Sequence, residues 1–171
     1  MKFISQILFL FVIIILVSEC KKPIKYSEIP EIKFESFLVK DTIDNPELQN
    51  PVKMGILRFA FTDGDGNIGL AQSDTNPPYD SASVYHYNLY YKMFEIDSGI
   101  IKEVELPFPL NFRTPLVAPV GQNKTLKGWI ETEFTYNYPL QYDSLIYTFF
   151  MYDRAQNKSN EASTDTIVIF N

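Results

Sequence analysis

The chain has one cysteine and one histidine in 171 residues, and no cluster of basic side chains beyond the pair Lys21 and Lys22. One cysteine cannot close an intrachain disulfide, so a folded domain here must be stabilised by packing. One histidine excludes the usual multi-histidine zinc sites. A Ser-His-Asp or Cys-His device would need His86 beside a nucleophile and an orienting carboxylate. The alternation of residues 83–95 instead predicts His86 in mid-strand on a polar face, so no catalytic residue and no enzyme is expected. With 15 Lys and Arg against 21 Asp and Glu the formal charge is −6, which argues against nucleic acid as a partner. Helical periodicity is missing too, since no segment keeps apolar residues at spacings of three and four for longer than a turn. Downstream of residue 17 the apolar runs are only strand-sized, and none is long enough to span a bilayer.

The one long apolar run, residues 3–17, follows Met1 and Lys2 and precedes the lone cysteine, Cys20. A positive start, an apolar middle and a processing point make up a secretory signal. The run is shorter than the roughly 20 residues a spanning helix needs, and it contains Ser5 and Gln6. Residues 16–20, LVSEC, resemble the lipobox of bacterial lipoproteins, with Glu19 where that motif has a small residue. The resemblance implies that residues 1–19 are removed and that Cys20 is acylated and becomes the membrane anchor. A retained N-terminal anchor and an ordinary cleaved signal are the alternatives, and all three readings place the domain outside the cytoplasm. Two or more acyl chains hold a protein stably without a further membrane segment. Residues 20–30, with Pro23 and Pro30, read as a tether, and residues 31–171 as one domain.

Aromatic residues are abundant, with 11 Tyr and 14 Phe in the chain, and the prevailing period is two. Residues 31–39 set Ile32, Phe34 and Leu38 on one face. In 53–62, Leu57, Phe59 and Phe61 share a face. Residues 83–95 are expected to be a strand with Tyr85, Tyr87, Leu89, Tyr91 and Met93 on one side. Asp97-Ser98-Gly99 signals a hairpin turn into a strand at 100–106. Four prolines are expected to keep 107–123 out of regular ladders. Residues 125–134, with Leu126, Ile130 and Phe134 together, then 144–152 and 163–170 complete about seven strands. The expected fold is an all-β, Ig-like antiparallel β-sandwich, with a small β-barrel as the alternative.

Two stretches, FTDGDGNIGL at 61–70 and YDRAQNKSN at 152–160, resemble segments of uncharacterised Bacteroidetes-type lipoproteins, in which a proline-rich tether carries one Ig-like domain. The second also resembles a D-x-x-G-N-x-S loop of bacterial Ig-like modules, with Gln156 in the glycine position. The resemblance speaks to fold and lineage and not to activity. With no catalytic constellation in the sequence, the expected role is a non-catalytic interaction or accessory module of the cell envelope, on the outer membrane, with a protein or glycan partner. A carbohydrate-binding lipoprotein of a glycan-uptake system is the alternative. Acidic residues often follow the cysteine in the surface-exported members of that group. The basic Lys21 and Lys22 lean toward a periplasm-facing orientation.

Asp63, Asp65 and Asn67 recur at every second position between glycines, which is how calcium loops present oxygen ligands on a sharp bend. The match to an EF-hand is poor, because Ile68 and Asp74 hold the sixth and twelfth positions where Gly and Glu belong. In a sandwich the loop after residue 153 falls at the same end, so Asp153 and Asn157 join the candidate calcium shell. Turn formation alone is the competing explanation for these Asp-Gly and Asn residues. Trp129 shares an outer face with Glu131 and Glu133, and with Tyr90 it is a candidate sugar-stacking surface. Asp-Ser/Thr-apolar tripeptides begin at Asp41, Asp80, Asp143 and Asp165. They resemble the O-glycosylation sequence of Bacteroidetes-type exported proteins, and Thr42 and Ser81, both expected in loops, are the candidate acceptors.

Overall fold

A computed structural model describes residues 24–119 and 121–170. The apolar run, the lipobox and Cys20 lie outside the described residues. The strands are β1 (Glu31–Ile43), β2 (Pro51–Asp63), β3 (Leu89–Asp97), β4 (Ile100–Glu103), β5 (Leu110–Phe112), β6 (Leu126–Asn137), β7 (Ser144–Met151), β8 (Ala162–Ser163) and β9 (Ile167–Val168). They form two antiparallel sheets and no closed barrel, which sets the barrel alternative aside.

One sheet has the order β1-β2-β6. In the other, β3 pairs β7 at the centre, and each flank is an edge built in two pieces. On one side β4 runs beside Phe94–Asp97 and β5 beside Leu89–Tyr91. On the other, β8 covers Thr148–Phe149 and β9 covers Ser144–Leu145 of β7. Strands 1, 2 and 6 facing a sheet centred on 3 and 7 is an immunoglobulin-like arrangement.

The core lies between the sheets and is strongly aromatic. Leu57, Phe59 and Phe61 point inward from β2, as their alternation predicts, and meet Tyr91, Tyr147 and Phe149 from the other layer. Phe134 stacks on Tyr147 with ring centroids 4.6 Å apart, and Tyr91 meets Phe134 edge-on at 5.3 Å, both favoured geometries for aromatic quadrupoles. The polar tips of this core are paired: the Tyr91 and Thr132 hydroxyls lie 2.8 Å apart, and so do those of Tyr136 and Tyr147. Burial pushes the phenols of Tyr91 and Tyr147 well above the ordinary tyrosine range, and that of Tyr136 up to about 12.

Several expectations are corrected. The pairing of β1 with β2 shifts register between Phe34 and Ser36. This bulge reverses the facing of every later side chain in the strand. Leu38 is therefore 58% exposed, while Phe37 turns inward and stacks on Tyr147 at 5.9 Å. β1 also continues to Ile43, so Thr42 sits in the ladder opposite Val52 rather than in a loop. Residues 83–88 are turns, not strand. The Ser83 hydroxyl accepts a bond from the Tyr85 N–H and its carbonyl one from the His86 N–H, bending the chain locally. Between the prolines, Leu110–Phe112 does join a ladder, as β5. The Ser98-Gly99 turn has positive φ at both residues, as a two-residue hairpin of this hand requires.

Candidate metal centre

At one end of the sandwich β2 ends at Asp63 and β7 ends at Met151, so the loops that follow are neighbours. The loop after β2 turns at Gly66, whose φ is +69° and where a β-carbon would strike the Lys124 carbonyl; both facts call for glycine. The loop after β7 turns at Gln156, with φ +68°. That is the position where the resembled loop pattern has glycine, and here a glutamine adopts the left-handed conformation.

These loops bring together all five candidate oxygen ligands, Asp63, Asp65 and Asn67 marked by their spacing and Asp153 and Asn157 by the expected topology. Carboxylate oxygens of Asp63, Asp65 and Asp153 lie within 4.8 Å of one another. Asp63 has no exposed surface and Asp153 is 2% exposed. The backbone N–H of Asn67 donates to Asp63 Oδ2 at 2.9 Å, and its amide Nδ2 donates to Asp65 Oδ2 at 2.7 Å. Asn157 serves Asp153 twice, through its backbone N–H to Oδ1 at 2.7 Å and its Nδ2 to Oδ2 at 2.8 Å. The Asn157 side chain is thus used to hold Asp153 in place, a positioning role that its spacing did not disclose.

Three oxygens have no donor. Among the described residues, the buried side-chain atoms lacking a hydrogen-bond partner are Asp63 Oδ1, Asp65 Oδ1 and Asn67 Oδ1, all in this cluster. None of the three carboxylates takes part in an ion pair there either. Arg154, next in sequence to Asp153, is turned away: it pairs with Asp74 and lies over the Tyr79 ring. That guanidinium holds the Asp74 carboxyl below its ordinary range. Asp63 is displaced the other way, up to about 6, first by burial and then by repulsion from Asp65 and Asp153, against a lowering by the Asn67 N–H. Burial raises Asp153 as well, opposed by its bonds from Asn157.

The segment before β1 closes over the same end. The Gly64 N–H donates to the Ser27 carbonyl at 2.7 Å, and a β-carbon at Gly64 would meet the Tyr26 and Ser27 carbonyls at 2.5 Å. Lys127 lies 3.7 Å over the ring of Tyr26.

The other candidates are dispersed. Trp129 is on β6 and 53% exposed, with the Arg58 guanidinium 4.1 Å from its ring centroid. Arg58 also contacts Glu35 at 2.9 Å and Glu131 at 3.6 Å. Tyr90 is in the other sheet, stacked on Phe150 at 5.2 Å, with its hydroxyl donating to the Tyr87 carbonyl. Trp129 and Tyr90 therefore form no common platform. His86 is 3.2 Å through Nδ1 from the Tyr79 carbonyl and edge-on to Tyr87. Ser81 is exposed in a turn.

Sequence reasoning missed a second polar cluster nearby. Asn88 donates to Thr114 Oγ1 at 2.6 Å and accepts from the Thr114 N–H at 2.7 Å. Arg113 reaches the carbonyls of His86, Ala71 and Asp74 and so pins the long 64–88 loop. Compared with known proteins, the chain matches no family model, no curated protein and no solved structure.

Proposed function

We propose that the chain is a lipid-anchored, non-catalytic module of the bacterial cell envelope that works by binding a partner. The lipobox-like residues 16–20 support the anchor, and the course of residues 24–30 supports its orientation. They pack against Gly64 and Lys127 at the acidic-loop end, only four residues downstream of Cys20 in the sequence. An acyl chain on Cys20 then sets that end toward the membrane. The opposite end, with the 138–142 loop over a pocket of about 430 Å³, faces outward. The pocket lining includes Phe134, Tyr136, Tyr138 and Tyr142, and aromatic surfaces of this kind are enriched where proteins meet partners.

A second reading, carbohydrate binding, draws on Trp129, which stands beside a groove of about 720 Å³ along β6. An indole over half exposed at a groove suits stacking against a sugar ring.

Metabolic labelling with a clickable fatty acid in a bacterial host tests the anchor. The label and the membrane-pelleting are expected to be lost together in Cys20→Ala. An unmodified thiol at Cys20 by mass spectrometry would overturn it. Crosslinking from the 138–142 loop in native membranes then identifies the partner, and a glycan titration monitored by Trp129 fluorescence separates the carbohydrate reading from the protein one.

A further inference from the structure

We infer that Asp63, Asp65, Asn67 and Asp153 form a binding site for one calcium ion. The inference goes beyond the anchoring role and does not depend on it. Its starting point is the three orphaned oxygens. A buried acceptor without a donor costs on the order of 1–3 kcal/mol, more if charged, and native proteins retain very few. Here three such atoms lie on one five-residue stretch of the loop after β2, one of them on a carboxylate with no exposed surface, and the Asp63 and Asp65 carboxylates meet that of Asp153 within 4.8 Å.

Hydrogen bonds within the cluster do not resolve this. The available donors, from Asn67 and Asn157, are already used on the other carboxylate oxygens. A buried water could donate two protons, yet it would leave three like charges side by side. No lysine or arginine pairs with them among the described residues, and Arg154 is committed to Asp74. A bound cation accepts lone pairs from all these oxygens at once and removes the mutual repulsion.

The donor set selects the ion. Every candidate atom is a carboxylate or amide oxygen, which suits a hard cation and disfavours zinc, copper or nickel. Two oxygens each about 2.4 Å from calcium stand at most about 4.8 Å apart, and the three carboxylates meet that limit. Magnesium keeps several waters and is held by one or two carboxylates, whereas this loop pair supplies three. Flexible coordination by six to eight oxygens is the habit of calcium. Four come from these side chains, and the remainder fall to main-chain carbonyls or water. Asn157 is the positioning residue, since it fixes both oxygens of Asp153.

The test uses the full-length chain in detergent, stripped with chelator and titrated with calcium chloride or magnesium chloride, with heat of binding and thermal midpoint as readouts. One calcium per chain is expected, with the midpoint raised by about 8 °C at a hundredfold excess over Kd. Magnesium at equal concentration should raise it far less. Asp65→Asn, an isosteric change at a partly buried position, keeps the variant folded: without calcium it should melt no lower than wild type, and its calcium response should fall at least tenfold in affinity. A purely structural carboxylate would instead make Asp65→Asn melt lower and leave any calcium response intact. Absence of binding heat with an unchanged midpoint, or an equal response to magnesium, would overturn the assignment.

Discussion

Two buried polar groups lie at the same end of this sandwich and are built on opposite principles. Asn88 and Thr114 exchange two hydrogen bonds, and the Asn88 backbone bonds both Phe112 and Tyr152. Each polar atom named there has found a partner inside the protein. Asp63, Asp65 and Asn67 carry three acceptors without donors, although Asp63 is at least as deeply buried as Asn88. A closed network of this kind fixes the fold; an open one of acceptors and negative charge is completed from outside. The difference separates a structural polar cluster from a binding one better than burial or composition does.

Three experiments bear on that contrast. The largest effect should come from Asn88→Ala, which strands the Thr114 N–H and hydroxyl in the interior. It is expected to destabilise the domain by about 3 kcal/mol in urea denaturation, equally with and without calcium. A loss that calcium repairs would merge the two clusters into one system.

The second concerns pH. Asp63 holds its proton up to about 6 in the folded chain, against an ordinary value of 3.8. Between those values the folded state binds more protons than the unfolded one, so stability declines as pH rises. In calcium-free protein this contribution is fully present below about pH 4 and lost as pH rises through 6, a change on the order of 3 kcal/mol. Saturating calcium should abolish the decline, and a decline of the same size in its presence would count against the open network.

The smallest effect belongs to Gln156. Its left-handed backbone is costly for a residue with a β-carbon, so Gln156→Gly should stabilise the domain by about 0.5 kcal/mol. By presetting the turn that carries Asp153 and Asn157, it should also tighten calcium binding modestly in the same titration. Weaker binding would show that the glutamine contributes something other than its backbone.

How much of this was legible in the sequence depends on whether a position answers to its neighbours along the chain or across it. Leu57, Phe59 and Phe61 were readable because β2 is a central strand whose ladder runs unbroken to β6. The bulge beside Glu35 was not, because it arises in the pairing of two strands, and so strict alternation sets Leu38 on the face of Ile32 and Phe34 that Phe37 in fact shares. The aromatic alternation of residues 83–88 mimics a strand, but Ser83 bends the backbone through its own hydroxyl and carbonyl. Leu110–Phe112 was hidden by prolines that flank the pairing segment without entering it. At the acidic loops the spacing of Asp63, Asp65 and Asn67 pointed to oxygen ligands. That Asn157 bonds Asp153 rather than joining the shell was not written there, since it follows from the local turn that Gln156 closes at 153–157.

The bond between Gly64 and Ser27 has a mechanical consequence. A pull arriving from the amino-terminal side must pass through residues 24–30 before it reaches β1. Among the described residues, the restraints it meets there are the Tyr26 ring under Lys127 and then that backbone bond to Ser27. Tension entering there would therefore load the turn that carries Asp65 as well as β1, so the acidic loop shares the strain at the head of the domain.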